Sequence, residues 1–244
     1  QARQFEAAWR GNELTVAAGY NQIQANFNPE VGFIRRGNNQ RYNGGFSWKP
    51  VIETSHTIRN LSFGANTEYF GGDTSGKIET RAQQVNLGIE FQNNAAINFA
   101  MTDTFDRLNE PFKIRTDIAI PTGDYRYLGY TADATTNPGR RLSGNTAFEW
   151  GEFWNGRRNS VRGGLNWRPD YHLNISVDDR RDHIVLPNGR FTTDLVGLRI
   201  SYALNPRTFF NAYFQYNSAT HQVSSNVRFN IIHHPLSDFF LVYN

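Results

Sequence analysis

The chain has 244 residues, a formal charge of +3, 39% hydrophobic and 14% aromatic residues, and no cysteine. That length suffices for one large domain, and the missing cysteine excludes disulfides and thiol chemistry. Lysine occurs only at Lys49, Lys77 and Lys113, so the basic side is almost all arginine, with no basic block of the kind that tracks nucleic acid.

No run of eighteen apolar residues is present, which excludes a membrane-spanning helix but leaves strand-built membrane proteins open. The chain opens at Gln1 without a signal peptide, so an export signal, if the protein is exported, is expected outside this sequence.

Period-two alternation runs through the chain and predicts an all-β fold. Strands are expected at about 3–9, 12–20, 40–48, 56–69, 78–91, 95–106 and 124–134, then about 141–153, 157–167, 171–180, 190–202, 208–217, 222–232 and 238–243. That is about fourteen strands. In chain order, Val85, Leu87, Ile89 and Phe91 oppose Asn86, Gly88 and Glu90. Leu173, Ile175 and Val177 oppose Asn174 and Ser176, and Val196, Leu198, Ile200 and Tyr202 oppose Gly197, Arg199 and Ser201. Phe210, Ala212, Phe214 and Tyr216 oppose Phe209, Asn211, Tyr213 and Gln215, and Val223, Val227, Phe229 and Ile231 oppose Ser224, Asn226, Arg228 and Asn230.

The connections fall into two alternating classes. Mostly short turns lie around Arg10-Gly11, Lys49-Pro50, Asn93-Asn94, Asn137-Pro138, Arg168-Pro169-Asp170, Asn205-Pro206 and His234-Pro235. The other class includes longer connections at about 21–39, 70–77, 107–123 and 181–189. Short turns on one rim and long loops on the other are the pattern of an up-and-down membrane barrel, although a soluble barrel also has two rims. Trp48, Trp167 and Tyr202 near one rim and Trp150, Trp154, Tyr69 and Phe70 near the other would suit aromatic belts, or ordinary packing at strand ends.

Four charges, Glu90, Arg162, Arg199 and Arg228, alternate with apolar neighbours and are expected to line a lumen. Glu30, Arg35 and Arg36 sit in the longest connection and could contact lipopolysaccharide phosphate, since arginine presents a rigid fork of donors. A folded loop with Phe33 and Ile34 tucked beneath it is the plainer reading. The run Asp178-Asp179-Arg180-Arg181-Asp182-His183 reads as a salt-bridge ladder or a solvated rim, because adjacent strand carboxylates face opposite ways. Calcium in a rim loop is the minor alternative.

Asp103 and Asp106 have opposite parity, so a shared metal would need a bulge, and the long loop after them could fold inward or stay outside. His233-His234 is a turn without a ligand pattern. No GxSxG elbow, GxGxxG turn or phosphate-binding glycine loop occurs. No catalytic residue, cofactor or metal site is therefore expected, and the protein is not expected to be an enzyme.

Two stretches, NPEVGFIRR at 28–36 and LSDFFLVYN at 236–244, resemble signatures of the domain of unknown function 5916 family. The resemblance implies an outer-membrane barrel of Gram-negative bacteria, usually preceded by a domain similar to a family-nine carbohydrate-binding module. It also implies that residues 1–244 form a single barrel domain, a carboxy-side fragment incomplete at both ends. On that view the protein is a porin-like transport component linked to glycan handling. Its partners would be outer-membrane lipid, lipopolysaccharide, other outer-membrane proteins or further segments of the same protein, with a glycan as a further candidate and no nucleic acid. The alternatives are a non-transporting outer-membrane scaffold or assembly subunit, and a soluble β-rich polysaccharide-binding protein. A plugged barrel or a large lateral protein interface would favour the scaffold. Stacked aromatics in a groove over an apolar core would favour the polysaccharide binder.

Overall fold

A computed structural model describes residues 1–28, 37–72, 74–234 and 237–243, with side chains left aside at 233, 234, 237 and 238. The strands are β1 (Ala2–Arg10), β2 (Leu14–Ile23), β3 (Asn39–Trp48), β4 (Ile58–Gly72), β5 (Ile78–Phe91), β6 (Ala96–Leu108), β7 (Phe112–Lys113) and β8 (Ala119–Ile120). They continue as β9 (Gly123–Thr135), β10 (Leu142–Phe153), β11 (Gly156–Trp167), β12 (Leu173–Leu186), β13 (Gly189–Asn205), β14 (Thr208–Asn217), β15 (Gln222–His234) and β16 (Ser237–Tyr243).

Fourteen of these form one antiparallel meander in chain order, from β1 to β16, and β7 and β8 pair separately as a small hairpin. The fourteen long strands are the fourteen that the alternation predicts. The sheet is open among the described residues: its order ends at β1 on one side and β16 on the other, and the two do not pair. A closed barrel is therefore corrected to an open sheet.

One connection differs from expectation. The predicted loop at about 181–189 is strand instead, and β12 turns into β13 through Pro187 and Asn188 alone. The charges in Arg180–His183 read as a salt-bridge ladder or a solvated rim, and the structure pairs them, within β12 and across to β13. Arg181 pairs with Asp194 at 3.2 Å, Arg180 with Asp182 at 2.8 Å, and His183 Nδ1 lies 2.9 Å from the Thr192 hydroxyl.

Registry carries two unlike faces across the sheet. One row runs Trp9, Val16, Phe46, Ala65, Val85, Met101, Tyr130, Trp150, each directly opposite the next. A second apolar row runs Leu165, Val177, Leu198, Phe214 on the same face. The other face carries the row Ser47, Gly64, Asn86, Ala100, Thr131, Glu149, Ser160, Asp182, Thr193. This polar face is the crowded one: a Cβ at Gly88 would collide with Ser62 and Asn98, and one at Gly197 with Asp178. Glycine there lets the longer polar side chains of neighbouring strands lie across the backbone.

Among the described residues no second layer covers the apolar face. Among the described residues the buried apolar side chains are Ile118, Ile120, Ile184, Leu186 and Ala212. Three of them, Ile118, Ile184 and Leu186, form one cluster with Ile114, Phe153 and Phe191 around it. Many of the apolar side chains that alternation places on one face are exposed, among them Val85, Leu87, Val177, Val196, Phe214 and Val223.

Candidate functional site

The four charges read as facing one way do share one face of the sheet. Glu90 follows Asn86 and Gly88 on β5, and register steps carry that face through Arg162 on β11 and Arg199 on β13 to Arg228 on β15. Glu90 bridges Lys49 at 2.8 Å and Arg59 at 3.1 Å. The Lys49 hydrogen bond, against some desolvation and with help from Arg59, holds the Glu90 carboxyl below its usual range. Arg59 also donates to the Gln92 carbonyl and to Asn94, so the ion pair braces the turn between β5 and β6. Glu149 accepts from Arg158 at 2.6 Å and from Arg162 at 2.9 Å. Arg199 stacks over Tyr213 at 5.1 Å, while Arg228 is exposed beside Asn211. The face is thus a braced ladder of paired charges and amides. It also includes Asn98 donating to Asp133 at 2.8 Å and Arg41 paired with Glu68.

The loop between β6 and β9 closes over part of this face. Its hairpin, β7–β8, seats Ile118 against Ile184 and Leu186, which share the strand parity of Asp182 and therefore belong to the polar face. Phe112 packs on Trp154 at 5.4 Å, and Trp154 packs on Tyr127 at 6.0 Å. Arg115 lies over the Phe191 ring at 5.2 Å. Asp182 sits nearby. Burial pushes its carboxyl up, but hydrogen bonds from Arg180 and Ser160 outweigh this and leave it below the ordinary 3.8. Burial also pushes the Tyr127 phenol up, and its hydrogen bond to Asp106 adds to the shift. Sequence reasoning left the direction of this loop open. The signal was the apolar pattern Ile114, Ile118, Ile120 within a polar loop.

The opposite face has an apolar centre and a charged margin. Leu165 is 61% exposed, Leu142 60% and Val85 48%. Phe99, Tyr130, Trp150 and Phe148 form a continuous aromatic cluster, with centroid separations of 5.1 to 6.3 Å. Gly44 leaves a depression of about 620 Å³ lined by Val16, Phe46, Ala65, Val85 and Met101. Farther along the same strands the face becomes charged. Asp103 takes Arg126 at 2.8 Å and Arg81 at 3.4 Å, and Arg107 pairs with Asp124 through two bonds of 2.7 Å. The Arg126 hydrogen bond dominates in holding Asp103 below its ordinary 3.8, as Arg107 does for Asp124.

Of the aromatic residues expected at the rims, Trp48, Trp167, Tyr202, Tyr69 and Trp150 fall on this apolar face by register. Phe70 faces the other way against Arg41, and Trp154 belongs to the hairpin contact. Asp103 and Asp106 lie on opposite faces, as their parity requires. No cluster of three metal-ligating side chains occurs among the described residues. Glu30, Arg35 and Arg36, together with Phe33, Ile34 and the turn at Pro235, lie outside the described residues.

A scan against models of protein families finds no match, and a search of curated proteins finds none either. The resemblance of NPEVGFIRR and LSDFFLVYN to the domain of unknown function 5916 family is thereby overturned. The physical reason is that nine-residue stretches of this kind are cheap: LSDFFLVYN largely coincides with an apolar edge strand. The expectations built on it are corrected with it. Porin-like transport, placement in the outer membrane, and partnership with its lipid, lipopolysaccharide, proteins or glycans have no support in the comparisons, and the sheet is an open one. Among the described residues no helix is long and apolar enough to cross a membrane.

Proposed function

We propose that this chain is a non-catalytic β-sheet scaffold whose apolar face packs against a protein partner. The observation that carries the reading is that face: a contiguous apolar surface over many strands that nothing among the described residues covers. Patches of this extent mark interaction surfaces. Three features favour a protein as the occupant. The centre is apolar and rich in aromatic residues, while paired charges at Asp103–Arg126 and Arg107–Asp124 stand at the margin, which is the anatomy of a protein interface. The cluster of Trp150, Tyr130, Phe148 and Phe99 has the residue types that anchor such contacts. The depression at Gly44 has room for more than one side chain of a partner.

On this reading residues 1–244 form one open sheet. The polar face that carries Glu90, Arg162, Arg199 and Arg228 serves to stiffen it. The docked β7–β8 hairpin supports a non-transporting role, since it occupies part of the polar face.

The test is site-specific photo-crosslinking in the producing cell, with a photoreactive residue at Leu165 on the apolar face or at Asn145 on the polar face. The expected result is a protein adduct of one defined mass from Leu165 and none from Asn145. Lipid adducts alone from Leu165, or equal labelling of both faces, would overturn the reading.

A further inference from the structure

We propose that Arg199 and Arg228, with Ser201, Asn211 and Tyr213 beside them, form a site for a doubly charged oxyanion, the phosphoryl group of a small organic phosphate. The site lies on the polar face and does not depend on what covers the apolar one.

Register places the groups. Ser201 on β13, Asn211 on β14 and Arg228 on β15 stand directly opposite one another, and Arg199 and Tyr213 do so one pleat along the same face. The two arginines therefore sit diagonally on either side of β14. Strand spacing and rise put their Cα atoms about 12 Å apart, a gap that two long side chains can close from both sides. Arg199 leans towards it, since its guanidinium lies over the Tyr213 ring at 5.1 Å.

Charge sets this place apart from the rest of the face. Arg41, Glu90, Arg162 and Arg180 all have ion-pair partners. Among the described residues Arg228 has no hydrogen bond or ion pair, Arg199 has the ring contact alone, and both are exposed. The acid beside them is Asp178. Its carboxylate lies across Gly197, one pleat from Arg199 on the side away from Arg228, and it pairs with neither arginine. A phosphoryl group carries close to two negative charges and has an oxygen for each of several donors. Two forked cations converging on one point suit it, where a single carboxylate would employ one of them.

The space between the arginines holds further donors. The Ser201 and Tyr213 hydroxyls and the Asn211 amide are half-buried, and among the described residues they have no hydrogen-bond partner. A hollow of about 250 Å³ opens beside Ser201 and Asn211, with Phe209 and Ala203 in its lining. That apolar side is what assigns the ligand to an organic phosphate, because inorganic phosphate would leave the hollow unused.

The test is isothermal titration calorimetry on the full chain in an uncharged detergent at low ionic strength, at about pH 8, where the phosphoryl group holds both charges. The probes are phenyl phosphate, inorganic phosphate and benzoate. Phenyl phosphate is expected to bind saturably, inorganic phosphate more weakly, and benzoate about tenfold or more below phenyl phosphate. Arg199→Gln and Arg228→Gln should each weaken phenyl phosphate by about tenfold or more, the loss of one charge-assisted contact. Arg190→Gln, at an exposed position on the opposite face, should leave the affinity unchanged. Equal affinity for benzoate and phenyl phosphate, or an equal loss with Arg190→Gln, would overturn the proposal. So would the absence of saturable binding to the unmodified chain, which is decisive without any variant. Inorganic phosphate binding as tightly as phenyl phosphate would overturn the part assigned to the hollow.

Discussion

The hairpin β7–β8 is held to the polar face by very little of its own structure, so one side chain should control it. It has two paired positions, Phe112 with Ile120 and Lys113 with Ala119. Two-stranded ribbons of that size are not stable alone. What anchors it is the burial of Ile118, 4% exposed, against Ile184 and Leu186. Truncation by Ile118→Ala removes three carbons and leaves a void over a rigid sheet, which typically costs about 2–5 kcal/mol. Because the hairpin is a surface element that can partly collapse, the lower part of that range applies, about 2–3 kcal/mol. At about 1.4 kcal/mol per tenfold this is roughly a 30- to 150-fold rise in the population of the undocked state. Native-state hydrogen exchange measures it directly. The amide of Ile114, bonded to the Ile118 carbonyl at 3.0 Å, should exchange faster by that factor. Amides in the centre of β4 and β5 should change less than about twofold, because the hairpin opens as a local unit. Unchanged exchange at Ile114, or equal acceleration throughout the sheet, would refute the claim that burial of Ile118 is a main anchor of the hairpin.

Three further outcomes follow from the paired charges and one strained glycine in β10. Asp103, Asp124, Asp182 and Glu90 all have folded-state values below their ordinary ones. Such groups stabilise the fold above the unfolded value and lose that contribution as pH falls through the folded value. The melting temperature should therefore be flat above about pH 5 and fall below about pH 3.5, and Asp103→Asn with Asp182→Asn should flatten the fall; a melting curve that declines from pH 7 would count against these pairs. Glu149→Ala strands Arg158 and Arg162 and should cost about 1–3 kcal/mol in denaturant titration, whereas Arg162→Ala, half-exposed, should cost under about 1 kcal/mol; equal losses would show that the arginines do not share one acceptor. Gly151 has φ of +139°, and a Cβ there would strike the Leu128 carbonyl, so Gly151→Ala should destabilise by about 1–3 kcal/mol, read as a lower urea midpoint, while Gly163→Ala, with open space around it, should be close to neutral.

Much of the fold was legible because a strand writes its two faces into alternate residues. Val85, Leu87 and Ile89 against Asn86, Gly88 and Glu90 specified β5 and its two faces, and taking every second connection together separated one rim from the other. The extent of β12 was not legible: Arg180, Arg181 and Asp182 read as a salt-bridge ladder or a solvated rim, charge suppresses the strand signal, and only the neighbours Asp194 and Ser160 decide between the two. Closure was not legible either, for a related reason. Alternation describes each strand's faces and is silent on whether the first and last strands meet. The polar face could be assigned to Glu90, Arg162, Arg199 and Arg228 by parity alone, but their partners lie on neighbouring strands, at distances in sequence that no local pattern reports. The same limit explains the overturned family resemblance: LSDFFLVYN owes its composition largely to being an edge strand beside β15, and any edge strand with one apolar face will carry something like it. What sets this molecule apart is the sum of the rows. An apolar face over fourteen strands, stiffened from behind by paired charges, is left exposed among the described residues, and exposed apolar surface of that extent is what interaction surfaces are made of.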